Sequence, residues 1–262
     1  MKIVSLVKNW QEYQDSISAQ VDEVVLYPQL FCRQGDLTLS QIKEISEVIG
    51  GKNISMTINL DLLFKNQQLS EAIEFVHELS IFCAPSHLSW RIHDLGLFYL
   101  MVKKYPCAQL QLNFLYAQQN TRAWLALQKK FPQQFHRVAL GPAYLNQLLN
   151  KDILWPSCVE VPILAKALLF SSPRQLLGKK GEATLIEEQN QLISLRAWQN
   201  EWGTFIEKEE PLSFLDKLDL IKAKGIGHVS IEAELGNLSG LVAAIRREDH
   251  ELLKTYQGEF KA

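Results

Sequence analysis

The sequence predicts a closed parallel (β/α)8 TIM-type barrel with an irregular insertion after the seventh strand. Three observations lead there. Short β-rich apolar runs alternate with longer segments of helical period, and that alternation requires crossover connections between parallel strands. Eight such runs fit within 262 residues, the usual size of a closed barrel. The turn after the first run, Val7-Lys8-Asn9-Trp10, is not the glycine-rich phosphate loop of an open doubly wound sheet.

The elements follow in order. Ile3–Val7 reads as a strand and Trp10–Val21 as an amphipathic helix. Val24–Tyr27 is a second strand, closed by Pro28. Leu37–Ile49 carries apolar residues at helical spacing and is stopped by Gly50-Gly51. Ile54–Asn59 and Ser70–Leu79 form the third unit, Leu88–Ile92 and Leu95–Lys104 the fourth, Leu110–Phe114 and Thr121–Lys130 the fifth. Arg137–Leu140 with Ala143–Leu149, and then the strand Val159–Leu164, complete seven. A helix over Leu212–Lys224 precedes the eighth strand, His228–Glu232, and a closing helix spans Leu238–Tyr256. Gly225-Ile226-Gly227 reads as a helix C-cap, because a strand follows it.

Residues 1–262 thus read as one domain. Within it Ala165–Pro211 is an insertion or small β subdomain, with strand-like pieces at Thr184–Ile186, Leu192–Leu195 and Gly203–Ile206. A segment this long inside a compact domain is usually functional, and it falls on the face where barrels bind ligands.

Composition excludes several classes. Hydrophobic residues make up 47% and charged residues 21%, and the formal net charge is −2, so bulk charge signals neither nucleic acid nor a membrane surface. No apolar run approaches a membrane span, and the first residues do not form a signal peptide, so the expected location is cytoplasmic. Cys32, Cys83, Cys107 and Cys158 contain no CxxC pair and read as four reduced thiols. No metal site and no cofactor is expected from the spacing of ligand-type residues. HExxH, P-loop and GxSxG patterns do not occur.

The polar residues at strand C-terminal ends are Asn59, Asp61, His93, Asp94, Asn113 and Glu232, and Glu160 lies within the seventh strand. His93, Asp94, Glu160 and Glu232 are the catalytic candidates. His93 beside Asp94 offers a base near a carboxylate, yet neighbours on a strand end point to opposite sides, and Asp94 reads equally as the N-cap of the next helix. Glu160 faces into the barrel only if paired, with Arg91, Arg137 or Arg174 available; such a pair either binds an acidic small molecule or braces the barrel. Asn59, Asn113, Asn120, Arg174, Lys179 and Lys180 are the ligand-binding candidates. Gly178-Lys179-Lys180-Gly181 is either a phosphate contact or a solvated basic turn.

Several segments, taken together and in order, resemble the collagenase-like peptidase U-32 family, named for peptidases of unassigned catalytic type. They are Val24-Val25-Leu26-Tyr27 with Phe31-Cys32-Arg33, Lys52–Asn59, Arg91-Ile92-His93-Asp94-Leu95-Gly96, Gln118-Gln119-Asn120, Arg137-Val138-Ala139-Leu140 and Val159-Glu160-Val161. The resemblance implies a barrel with a ligand pocket near Glu160. Its closest flavour is the bacterial branch that hydroxylates ubiquinone precursors without oxygen, whose relatives modify transfer or ribosomal RNA. An iron–sulfur cluster on four cysteines is central to those proteins. Here Cys32 stands at the first ligand position, Gln175 replaces the second in Ser172-Pro173-Arg174-Gln175, and no cysteine follows Cys158. The resemblance therefore implies a relative that has lost the cluster. It would bind a small acidic or aromatic ligand and serve as an accessory subunit beside a cluster-bearing partner. The alternatives are a hydrolase or peptidase active in its own right, and an RNA-modification factor binding through the basic loop. Whether the chain is an enzyme stays open.

Overall fold

Eight parallel strands close on themselves in a computed structural model that describes residues 1–83, 88–114, 121–150, 154–178, 182–188 and 191–259. The strands are β1 (Lys2–Val7), β2 (Glu23–Leu26), β3 (Ser55–Leu60), β4 (Leu88–Ile92), β5 (Gln109–Phe114), β6 (Phe135–Leu140), β7 (Val159–Ala165) and, after the insertion, β13 (His228–Glu232). Each pairs with the next, β13 returns to β1, and β6 meets β7 to complete the cylinder. The β6–β7 seam is short, two residue pairs from Val138↔Val159 to Ala139↔Glu160. The expected (β/α)8 TIM-type barrel is what the chain forms.

Helices fill the crossovers: α1 (Trp10–Ser18), α2 (Leu39–Ile49), α3 (Asn66–Phe82), α4 (Leu95–Lys104), α5 (Thr121–Lys130) and α6 (Leu145–Leu149), then α7 (Leu218–Ala223), α8 (Leu238–Arg247) and α9 (His250–Glu259). Side chains open several of them. Asn9 accepts from the Glu12 amide, Thr38 and Gln41 form a capping box, and Asn237 accepts from Gly240.

Alternation sorts each strand into two faces. The outer face is apolar and packs on the helices: Ile3, Val24, Ile58, Trp90, Leu112, Val138, Val161 and Ile231 all belong to one continuous core. The inner face is different. Val4, Leu6, Val25 and Tyr27 make a small separate apolar cluster with Cys32. The other inward positions are polar and buried, among them Glu23, Thr57, Asn59, Arg91, Gln111, Asn113, Arg137 and Glu160.

Three sequence expectations are corrected. The helix over Leu212–Lys224 begins later, because Leu212–Ser213 (β12) adds antiparallel to β7 and a 3-10 turn at Leu215–Lys217 precedes α7. The closing helix is two, α8 and α9, since Glu248 adopts a left-handed backbone (φ 57°) and ends α8. The insertion is more regular than its polarity suggested. The strands β8 (Leu168–Ser172), β9 (Glu182–Glu188), β10 (Gln191–Asn200) and β11 (Gly203–Lys208) form an antiparallel sheet in the order β8-β11-β10-β9. Gly203 makes this sheet possible: its φ is 136°, and a Cβ there would lie 2.0 Å from the Ser172 carbonyl oxygen. Gly225 (φ 80°) follows α7, the C-cap expected of it.

The sheet sits over the C-terminal end of the barrel. The Asn200 amide donates to the Arg33 carbonyl (2.9 Å), and the Trp202 ring packs 5.8 Å from Phe31. None of the helices among the described residues is long and apolar enough to cross a membrane.

Candidate functional site

Inside the barrel, two carboxylates and two guanidiniums form one buried network. Arg137 Nη1 lies 2.7 Å from Glu23 Oε2 and 3.3 Å from Glu160 Oε2. Arg91 Nη2 reaches the same Glu160 oxygen at 2.5 Å, and its Nε donates to Gln111 (3.0 Å). Gln111 in turn donates to Thr57 and Glu23, and the Thr57 hydroxyl donates to Glu23 (2.7 Å). The strand register explains the grouping: Arg91 is level with Gln111, and Gln111 with Arg137. Burial by itself would raise the Glu23 pKa; Arg137, Arg91 and the Thr57 hydroxyl outweigh it and hold it down at about 2. Among the described residues Glu160 Oε1 and Arg137 Nε have no hydrogen-bond partner.

One layer above, Cys32 donates its thiol to the Asn59 carbonyl and receives the Asn59 amide at 3.7 Å. Burial, reinforced by Asp61, pushes the thiol pKa well up, so Cys32 is a protonated, packed group. Arg33 grips Asp61 through its backbone amide (2.9 Å) and its Nε (2.8 Å). Asn113 donates to Asn59, and His93 Nδ1 sits 2.7 Å from the Asn113 carbonyl oxygen. Burial lowers the His93 pKa more than that carbonyl raises it, which favours the neutral ring.

At the rim, Lys8 pairs with Glu232 (3.5 Å) and Glu234 (3.1 Å), and Lys166 pairs with Glu234 (3.3 Å). The Lys166 amide also donates to Glu232. Burial lowers the Lys8 pKa, but Glu232 and Glu234 more than reverse it. Glu207, delivered by β11, is nearly buried; burial pushes its pKa up, Lys8 pulls it down in part, and Glu232 adds to the rise. These groups enclose a cavity of about 60 Å³, with Glu160 and Arg91 below, Lys8 and Glu232 at the side, and Glu207 from the insertion. It has room for a few waters or one small head group.

The structure therefore brings together Glu160, Glu232 and Asn113 around the cavity, with Asn59 buried beside them. His93 stands next to this group. Asp94 does not join it: one oxygen caps α4 by accepting from Leu97 (2.8 Å), and the other accepts from Phe64. Arg174 is also apart. It lies exposed on the insertion, with its amide on Ser172 and its carbonyl accepting from Thr204, so the partners of Glu160 are Arg91 and Arg137 alone among the three proposed. Asn120, Lys179 and Lys180 lie outside the described residues.

Sequence reasoning named Asp61 among the polar strand-end residues but missed Glu23, Lys8, Arg33 and Glu207 as site residues. Glu23 opens β2 and Lys8 follows β1, and inward parity at Glu23 was a usable signal; Arg33 lies in the loop between β2 and α2. Glu207 had none, because only the docking of the insertion turns it into the mouth.

The cysteines do not fit an iron–sulfur cluster. Cys32 is at the mouth with its thiol committed to Asn59. Cys83 ends α3, Cys107 precedes β5 and Cys158 precedes β7, all at the opposite end of the barrel. All four are free. No three His, Cys, Asp or Glu side chains among the described residues come together to hold a metal ion.

No protein-family model matches the sequence, and no curated protein does. Among solved structures, the fold is similar to that of a U32 peptidase, with 11% identity, a TM-score of 0.45, 65% of this chain covered and 70% of the other. It is also similar to part of the multi-modular cell-surface chitinase ChiW of Paenibacillus sp. str. FPU-7, with 9% identity, a TM-score of 0.44, 94% of this chain covered and 42% of the other. At such identity and overlap the two likenesses concern the path of the backbone and do not extend to activity.

Proposed function

We propose that this chain is a cluster-free U-32-type barrel that binds a small polar molecule in its mouth and serves as an accessory subunit to a cluster-bearing relative. The setting that fits the sequence resemblance is an oxygen-independent hydroxylation of the kind used in ubiquinone biosynthesis. The observation that carries the reading is the combination at the mouth: a polar cavity built from barrel and insertion, whose lining residue Arg33 follows a Cys32 thiol that is itself buried and hydrogen-bonded to the Asn59 carbonyl. A scaffold that keeps the pocket and lacks the cluster thiols binds without redox chemistry of its own.

Anaerobic affinity purification from native lysate tests this. The expected result is co-purification of a related iron–sulfur protein, with the iron assigned to the partner after the two are separated. Stoichiometric iron on this chain alone would overturn the cluster-free part. A strictly solitary monomer under the same conditions would overturn the accessory role.

A further inference from the structure

We propose that the head group taken by the mouth cavity is a small organic cation, a protonated amine. This rests on the reading of the mouth as a binding site and deepens it by naming the ligand class.

The argument is one of donors and acceptors. Every cation around the cavity is already engaged: Lys8 with Glu232 and Glu234, Lys166 with Glu234, Arg33 with Asp61, and Arg91 with Glu160 and Gln111. The acceptors are not used up. Glu160 is 1% exposed, stands on the cavity floor, and its Oε1 has no hydrogen-bond partner among the described residues. Glu207 is 5% exposed and stands opposite, from the insertion. Its nearest ionic partner is Arg196 at 4.0 Å, the far limit of an ion pair, and no hydrogen bond to its carboxylate occurs among the described residues. A buried acceptor without a donor is costly, and a charged one more so. An anion entering here would meet lysines already neutralised and two carboxylates that repel it. An ammonium group supplies what both carboxylates lack, three donors on one compact charge. Its positive charge would also oppose the rise that burial gives the Glu207 pKa. Glu160 comes from β7 and Glu207 from β11, so the insertion supplies one of the two carboxylates. The cavity of about 60 Å³ accepts the head group alone, and the rest of the ligand would extend outward past the rim.

Titration calorimetry on the full chain with n-butylammonium chloride tests this, with sodium butyrate and n-butanol at the same ionic strength as matched controls. Expected is saturable binding of the ammonium, in about the millimolar range for so small a probe, and none of butyrate. Glu207→Gln should weaken the ammonium by about tenfold or more, with a melting temperature close to that of the parent chain. Glu160→Gln should do the same, counted only where its circular dichroism matches the parent's. Butyrate binding as tightly as the ammonium, unchanged affinity in Glu207→Gln, or no saturation by ammonium up to roughly 50 mM overturns the proposal. The two readings fail separately. Butyrate binding without ammonium binding leaves the mouth a binding site with another ligand class. Ammonium binding by a chain that captures no partner leaves the cation site and removes the accessory role.

Discussion

Replacing Arg137 with methionine isolates the central interaction of the barrel interior. Arg137 is 4% exposed and bridges Glu23 at 2.7 Å and Glu160 at 3.3 Å. Methionine keeps much of the volume and removes the charge. Glu160 retains Arg91, while Glu23 keeps hydrogen bonds from the neutral Thr57 and Gln111 and only the longer-range attraction of Arg91. Breaking a buried ion pair from one side costs about 3–5 kcal/mol, because the remaining charge stays buried. For a domain of this size each kcal/mol moves the melting temperature by about 2–4 °C, so the expected drop is roughly 6–20 °C at neutral pH. Thermal melts followed by circular dichroism from pH 2.5 to 7.5 give a second signature. In the parent chain the Glu23 pKa lies at about 2, below its ordinary 4.5, so its contribution is complete above pH 4.5 and is lost as pH falls toward 2. In Arg137→Met the main counterweight to burial is gone and the folded pKa rises from about 2, so the variant loses less of its stability than the parent as pH falls below 4.5. Adding Glu23→Gln to Arg137→Met should recover much of the loss. A variant that melts within about 2 °C of the parent, with the same pH dependence, would refute the account of the network.

Further expectations concern caps, turns and thiols. Asp94→Ala should cost about 1 kcal/mol through loss of the α4 cap, seen as faster hydrogen exchange at Leu97; exchange that stays unchanged would remove the capping role. Gly203→Ala forces a Cβ against the Ser172 carbonyl at a φ of 136°, so limited proteolysis should cut within Leu168–Lys208 well before the parent is cut there. With a thiol-reactive chromophore at pH 8, the exposed Cys107 should react first, while the buried Cys32 should stay silent until unfolding. Rapid native labelling of Cys32, mapped by mass spectrometry, would contradict its placement.

The strands were legible because their outer faces are apolar, as at Val24, Leu26, Leu110 and Leu112, with Val24–Leu26 apolar throughout. The boundaries were less so. The start of α3 at Asn66 was hidden because its first turn, Asn66-Gln67-Gln68, is polar. The break between α8 and α9 was hidden because apolar spacing continues across Glu248, and the turn depends on a backbone angle that no side-chain pattern reports. β8 was overlooked in a stretch read as irregular, since a four-stranded sheet resting on one barrel end leaves Leu169 and Phe170 exposed.

The site divides along the same line. Sequence alone determined that Glu232, Asn59 and Asn113 lie near the C-terminal strand ends and Glu160 within β7, because period-two alternation and chain direction set face and height on each strand. It also determined that no cysteine follows Cys158. Only the tertiary structure decided that Glu160 meets Arg91 and Arg137 and not Arg174, that Asp94 serves as a cap, and that Glu207 closes the mouth from above. Those outcomes depend on closure of the barrel and docking of the insertion. Both bring together residues far apart in the chain, and no local pattern encodes the distance between them.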